Sequence, residues 1–136
     1  QHVLEPLSGY LSLGEQLFTD LNLSGEGFNF GPSADQNRTV YDLLVDSSNY
    51  WGFDPEEAII ITDNIPFHEA GLLKLNCDKS LAVLGWKGTL TYSDTIRLTN
   101  EWYLMYHQAV AMFDKTLSQI SEYEALAKDK YLKWTE

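Results

Sequence analysis

The sequence predicts a small mixed α/β domain, rich in helix and carrying a few short strands. Its 136 residues are 44% hydrophobic, 13% aromatic and only 21% charged, which is apolar enough for one compact core and points to a single domain over residues 1–136. Apolar positions recur at helical spacing in several separate segments, most clearly Ile96, Thr99, Tyr103, Tyr106, Val110 and Phe113. Short β-branched or aromatic runs, Ile59-Ile60-Ile61-Thr62 and Phe28-Asn29-Phe30, stand between turn residues. Such runs are too few for a sheet with a full set of crossover helices.

The elements follow in order. His2, Val3 and Leu4 form a short extended run feeding a helix that opens at Pro6, whose missing N–H is harmless in a first turn. Leu7, Tyr10, Leu11, Leu17, Phe18 and Leu21 are its apolar positions, and Gly9 and Gly14 permit close packing. Leu23 to Gly27 is a turn, Phe28 to Phe30 a strand stopped by Gly31-Pro32, and Ser33 to Arg38 a polar loop. Val40, Leu43, Leu44, Ser47 and Trp51 keep helical spacing up to a stop at Gly52. Asp54 to Glu57 could open a capped helix, but the β-branched run that follows favours a turn and then a strand over Ala58 to Thr62. Leu72 to Leu75 is extended, and Asp78 to Leu84 is a short helix stopped by Gly85. Past Thr91, with Ser93 or Asp94 as cap, the Ile96 to Phe113 stripe predicts one long helix, and Leu117 to Trp134 a further one.

Charge and cysteine content narrow the partners. Nine Lys plus Arg against 20 Asp plus Glu give a formal charge of -11, which repels nucleic-acid phosphates and anionic membrane surfaces. Cys77, the single cysteine, cannot form an intrachain disulfide, so a reducing compartment, the cytoplasm, is expected. No apolar run approaches the roughly 20 residues that span a bilayer, and the first residues lack a signal peptide's basic start and apolar middle.

Motifs for chemistry are sparse. A dinucleotide site needs a glycine-rich turn that lets backbone approach a pyrophosphate; Gly25-Glu26-Gly27 is the one candidate, and Phe30 occupies the third glycine's place. No Tyr is followed four residues later by Lys, and neither a phosphate loop nor a Gly-x-Ser-x-Gly elbow occurs. His2, His68 and His107 have no metal-ligand spacing among themselves or with Cys77. No catalytic, cofactor-binding or metal residue is therefore assigned. Two segments place polar groups at strand ends, where α/β proteins collect ligand-binding side chains: His2 before the first helix, and His68 with Glu69 after the Ile59 strand.

At these residues the chain resembles a known family. His2-Val3-Leu4-Glu5-Pro6-Leu7-Ser8-Gly9-Tyr10-Leu11, Phe28-Asn29-Phe30-Gly31-Pro32, His68-Glu69-Ala70 with Leu73-Lys74-Leu75, Lys79-Ser80, Leu84-Gly85-Trp86, and Thr99 with Glu101-Trp102-Tyr103 come in the order and rough spacing of the C-terminal part of the CDP-glucose 4,6-dehydratases. The tail Leu117 to Glu124 is similar to that family's ending. Asn-Phe-Gly and Leu-Gly-Trp are shared widely among extended short-chain dehydrogenases; the opening segment and His-Glu-Ala are more particular. The resemblance implies a lyase of nucleotide-sugar metabolism, of the kind that serves lipopolysaccharide biosynthesis. It uses NAD to take a hydride from C4 of CDP-glucose, eliminates water across C5 and C6, and returns the hydride at C6.

The resemblance also implies that the glycine-rich NAD turn and the Tyr and Lys pair lie in an N-terminal portion that this sequence does not contain. The chain is then a C-terminal substrate-binding region with no cofactor of its own and no catalysis alone, and His2, His68 and Glu69 are its substrate-binding candidates. Its expected partners are a CDP-sugar within the complete enzyme and either the missing NAD domain or a second copy. Relatives carry a phosphate-binding arginine before the His-Glu segment; the arginines here are Arg38 and Arg97, and neither stands there. The alternative is a stand-alone binding or dimerisation module that keeps the fold without the chemistry, with the Ile96 to Phe113 stripe as its interface.

Overall fold

The structure, a computed structural model, describes residues 1–33, 36, 38–61, 75–109 and 111–135. Among these the regular elements are helical, and no strand is formed by the described parts of the expected strands.

Helix α1 spans Leu4–Leu17 and starts two residues ahead of Pro6. The His2 carbonyl accepts from the Glu5 N–H at 3.1 Å and the Val3 carbonyl from the Leu7 N–H at 3.3 Å, so His2, Val3 and Leu4 wind into the first turn instead of forming a strand. Pro6 is then third in the helix, still among the N–H positions that no helical carbonyl could satisfy. Gly9 is required here: a Cβ on it would lie 2.3 Å from Cδ1 of Phe30. Phe30 is buried with Leu23, Leu84 and Trp86, its ring edge-on to Trp86 at 4.9 Å and to Tyr10 at 5.6 Å.

Helix α2, Val40–Trp51, opens on a reciprocal cap between Thr39 and Asp42 and closes on Gly52 at φ 69°, as its periodicity predicts. Where a turn and strand were expected over 54–62, Pro55–Ala58 forms a one-turn helix, α3, with the Asp54 side chain accepting from the Glu56 N–H. Asp as cap and Pro at the first position outweigh the β-branched run. Ile60 and Ile61 remain 86% and 75% exposed; a strand there has no described surface to pack against, and Thr62 lies outside the described residues. The same holds for residues 72–74 of the expected extended segment, and for 34, 35 and 37 of the polar loop.

Residues 78–84 form the expected short helix, widened to a π turn over Ser80–Leu84 and stopped at Gly85, φ 66°. Helix α4, Tyr92–His107, is capped by Thr91, with Asp94 as the reciprocal partner three residues on and not as the cap itself. The single long helix expected to Phe113 is two helices: Ala109 takes φ 54°, and α5 runs over Met112–Asp129. The reversal sets α5 antiparallel on α4, with Lys115 on Glu101 (2.9 Å), the Trp102 indole N–H on the Thr116 hydroxyl (3.1 Å), the Gln119 amide on the Leu98 carbonyl (2.7 Å) and Glu122 on Arg97 (2.5 Å). The proposed interface stripe is thereby split, for Ile96 is buried whereas Tyr103, Tyr106 and Phe113 are exposed. On its other side α4 meets α2, where the Trp51 indole N–H donates to Asn100 at 2.9 Å.

The α4 cap sets a first test. Thr91 Oγ1 accepts from the Asp94 N–H at 3.2 Å and donates to Asp94 Oδ2 at 2.6 Å. Thr91→Ala is expected to lower stability by about 1 kcal/mol, a fall of roughly 4 °C in melting temperature for a domain of this size, read by circular dichroism.

Candidate functional site

Of the sequence-predicted site residues, His2 is placed by the structure, and His68 and Glu69 lie outside the described residues. His2 is buried at the start of α1, and its Nδ1 accepts from the Leu4 N–H at 3.3 Å. That bond leaves the ring proton on Nε2. Burial holds the imidazole below its ordinary pKa, so His2 is neutral near pH 7 and can act as a hydrogen-bond donor through Nε2.

One turn on, Glu5 and Ser8 point into the protein and build a buried polar cluster. The Glu5 carboxylate accepts from the Thr89 N–H through both oxygens at 3.0 Å and from the Leu90 N–H at 2.5 Å. Gly88 leaves room for it, since a Cβ there would stand 3.0 Å from Glu5 Oε2. The Ser8 hydroxyl donates to the Glu5 carbonyl (2.8 Å) and accepts from the Trp86 indole N–H (3.0 Å) and the Tyr123 hydroxyl (2.9 Å). Lys130 donates to the Thr89 carbonyl at 2.5 Å. Three separate parts of the chain, α1, the 86–90 segment and α5, meet on these two side chains.

Burial pushes the Glu5 carboxyl above its ordinary value, against the pull of the Leu90 and Thr89 N–H groups, the Tyr123 hydroxyl and the Lys130 charge. Burial also pushes the Tyr123 phenol up to about 12, so it stays protonated and donates to Ser8. A perturbed carboxyl beside a tyrosine invites an acid-base reading. Both side chains are only 4 to 5% exposed and fully engaged, leaving a reacting group no place to sit within reach. The cluster is a clamp that positions the start of α1, and with it His2.

Among the described residues, two shallow cavities lie elsewhere. One of about 380 Å³ runs between Ser12 and Gln16 of α1, Trp86, Lys133 and Trp134; another of about 320 Å³ is bounded by Arg38, Tyr41, Asp42 and Asp46. Arg97 is committed to Glu122 and Glu101, and the Arg38 guanidinium lies 5.2 Å from the Tyr92 ring centre. Among the described residues no three His, Cys, Asp or Glu side chains come together as a metal site, and no helix is long and apolar enough to cross a membrane. Sequence reasoning assigned no site role to Ser8, Thr89, Tyr123 or Lys130, which lie in separate parts of the chain.

Comparison with known proteins agrees with the resemblance seen in the residues. The chain is 34% identical over 123 residues, 90% of its length, to the CDP-glucose 4,6-dehydratase of Salmonella typhimurium, of which that match covers 34%. Two trifunctional UDP-glucose 4,6-dehydratase/UDP-4-keto-6-deoxy-D-glucose 3,5-epimerase/UDP-4-keto-L-rhamnose-reductases of Arabidopsis thaliana match over shorter stretches. One is 32% identical over 76 residues (56% of this chain, 11% of that protein), the other 30% over 79 (58% and 11%). No protein-family model matches. The chain thus spans about a third of the length of the first of these relatives and about a tenth of the others.

Proposed function

We propose that this chain is the substrate-binding, C-terminal portion of a CDP-glucose 4,6-dehydratase-like enzyme, a cytoplasmic lyase, and that it is not catalytic alone. The similarity to the CDP-glucose enzyme along 90% of the chain, against partial matches to the UDP-sugar enzymes, carries this reading. NAD, held by the remainder of the enzyme, supplies the hydride chemistry. This chain's part is recognition: His2, fixed by the Glu5 and Ser8 clamp and presenting a neutral imidazole, contacts the sugar nucleotide together with His68 and Glu69. A neutral donor at His2 suits hydroxyl groups on a glucose ring.

Titration calorimetry tests both halves of the reading. The 136-residue chain is expected to show no NAD binding, and micromolar affinity, about -8 kcal/mol, would overturn the assignment of the cofactor to another part of the enzyme. The complete protein is expected to convert CDP-glucose to the 4-keto-6-deoxy sugar nucleotide. His2→Ala there should raise KM about tenfold, a larger loss in binding than in stability; equal losses of stability and binding would reduce His2 to a structural residue.

A further inference from the structure

The residues that follow α5 close one wall of the larger cavity. Helix α5 ends at Asp129, and Tyr131 takes φ 52°, a conformation that side chains with a Cβ disfavour. The turn made there buries Leu132 and sets Trp134 on Tyr123, the two rings stacked at 5.7 Å. Lys133 lies along Gly85: a Cβ on that glycine would stand 2.9 Å from Lys133 Cδ and 3.7 Å from its Nζ. Helix α1 supplies another wall through Ser12, Glu15 and Gln16. The Gln16 amide N–H groups donate to the Leu84 carbonyl at 2.8 Å and the Ser12 hydroxyl at 3.4 Å, which fixes that side chain and leaves Oε1 as its acceptor.

The space between these walls is about 380 Å³, the size of a site for one small molecule. Its lining joins the indoles of Trp86 and Trp134 to a carboxylate, an ammonium, an amide and a hydroxyl. Indole rings pack against apolar C–H faces, while a carboxylate beside an amide oxygen offers acceptors for neighbouring hydroxyl groups. Glu15 offsets Lys133, and the chain as a whole carries a formal charge of -11, so a diphosphate or other strongly anionic ligand is disfavoured. A neutral ring with one apolar face and a hydroxyl-bearing edge satisfies all of these groups, and that is the chemistry of a pyranose sugar. Ser12 stands ten positions beyond His2 in the sequence, about 15 Å along the helix.

We propose that this cavity is a binding site for a neutral hexose, separate from the sugar-nucleotide contact at His2. Trp134 is the stacking platform, Glu15 and Gln16 Oε1 accept from adjacent ring hydroxyls, and Lys133 donates to a hydroxyl oxygen. The inference goes beyond the dehydratase reading and does not depend on it.

Proton–nitrogen correlation NMR of the 136-residue chain, titrated separately with D-glucose, L-alanine and cytidine diphosphate, tests it. Expected is that glucose alone shifts the Trp86 and Trp134 indole N–H signals and the Gln16 side-chain amide, saturating with a Kd on the order of 1 mM, as suits a partly enclosed ligand of its size. Trp134→Leu should abolish the shifts. Because Trp134 also packs on Tyr123, the exposed Glu15 supplies a second variant: Glu15→Ala should weaken glucose binding about tenfold and leave the melting temperature within about 2 °C. No shifts with glucose, shifts confined to other residues, or a Kd untouched by Glu15→Ala would each overturn the proposal. Shifts with L-alanine and not glucose would assign Lys133 and Glu15 to the two charges of an amino acid and overturn the sugar. Shifts of the same signals with cytidine diphosphate would join the cavity to the nucleotide site and overturn its separateness.

Discussion

Glu5→Ala is expected to cost about 3 kcal/mol near pH 5, because it strands the Thr89 and Leu90 N–H groups beneath α1 and unpaired buried donors cost about 1 to 3 kcal/mol each. That loss corresponds to about 12 °C in melting temperature. Glu5→Gln is milder, since one amide oxygen can still accept from both N–H groups as Oε1 does now. The dependence on pH has a definite sign. Burial raises the Glu5 carboxyl above its reference value of 4.5, so the folded protein holds that proton more tightly than the unfolded chain. Its contribution is complete below the unfolded value and is lost as pH rises through the folded one. The gap between wild type and either variant should therefore narrow from pH 4 to pH 8 in urea denaturation series. Glu26, Asp42, Asp94 and Glu101 are depressed and act oppositely, losing their contribution as pH falls. A gap that widens with rising pH would show that the cluster prefers the ionised carboxylate.

Gly9→Ala is expected to destabilise the domain by about 2 kcal/mol or more, although alanine is the better helix former by about 1 kcal/mol. The new methyl would overlap three Phe30 ring carbons at 2.3 to 2.7 Å. That ring is buried and held between Tyr10 and Trp86, so it cannot swing away without disturbing them. Gly14, in the same helix with nothing within 4 Å of the place a methyl would take, supplies the control. There the same substitution should stabilise by about 0.5 to 1 kcal/mol. Thermal denaturation of the pair separates contact from helix propensity: two changes of the same sign would mean that the close crossing of α1 over Phe30 is absent in solution.

Local chemistry determined much of this protein from the sequence by itself. The Val40 helix with its Gly52 stop, the Gly85 stop and the helical tail are written in periodicity and capping within a few residues, and the family is legible in the ordered segments from His2 to Glu124. The tertiary structure decided what depends on distant partners. A β-branched run at 59–61 and an aromatic alternation at 28–30 are sound strand signals, yet a strand exists only where another strand accepts its ladder, and none is present among the described residues. The division of α4 from α5 turns on one left-handed residue, Ala109, that a stripe of apolar positions does not register. Glu5 and Ser8 look like ordinary polar positions of a first turn until folding brings Leu90 and Tyr123, 85 and 115 residues away, onto them. Burial and hydrogen bonding over such separations are properties of the packed chain, and they alone make those two side chains the clamp on which the candidate site stands.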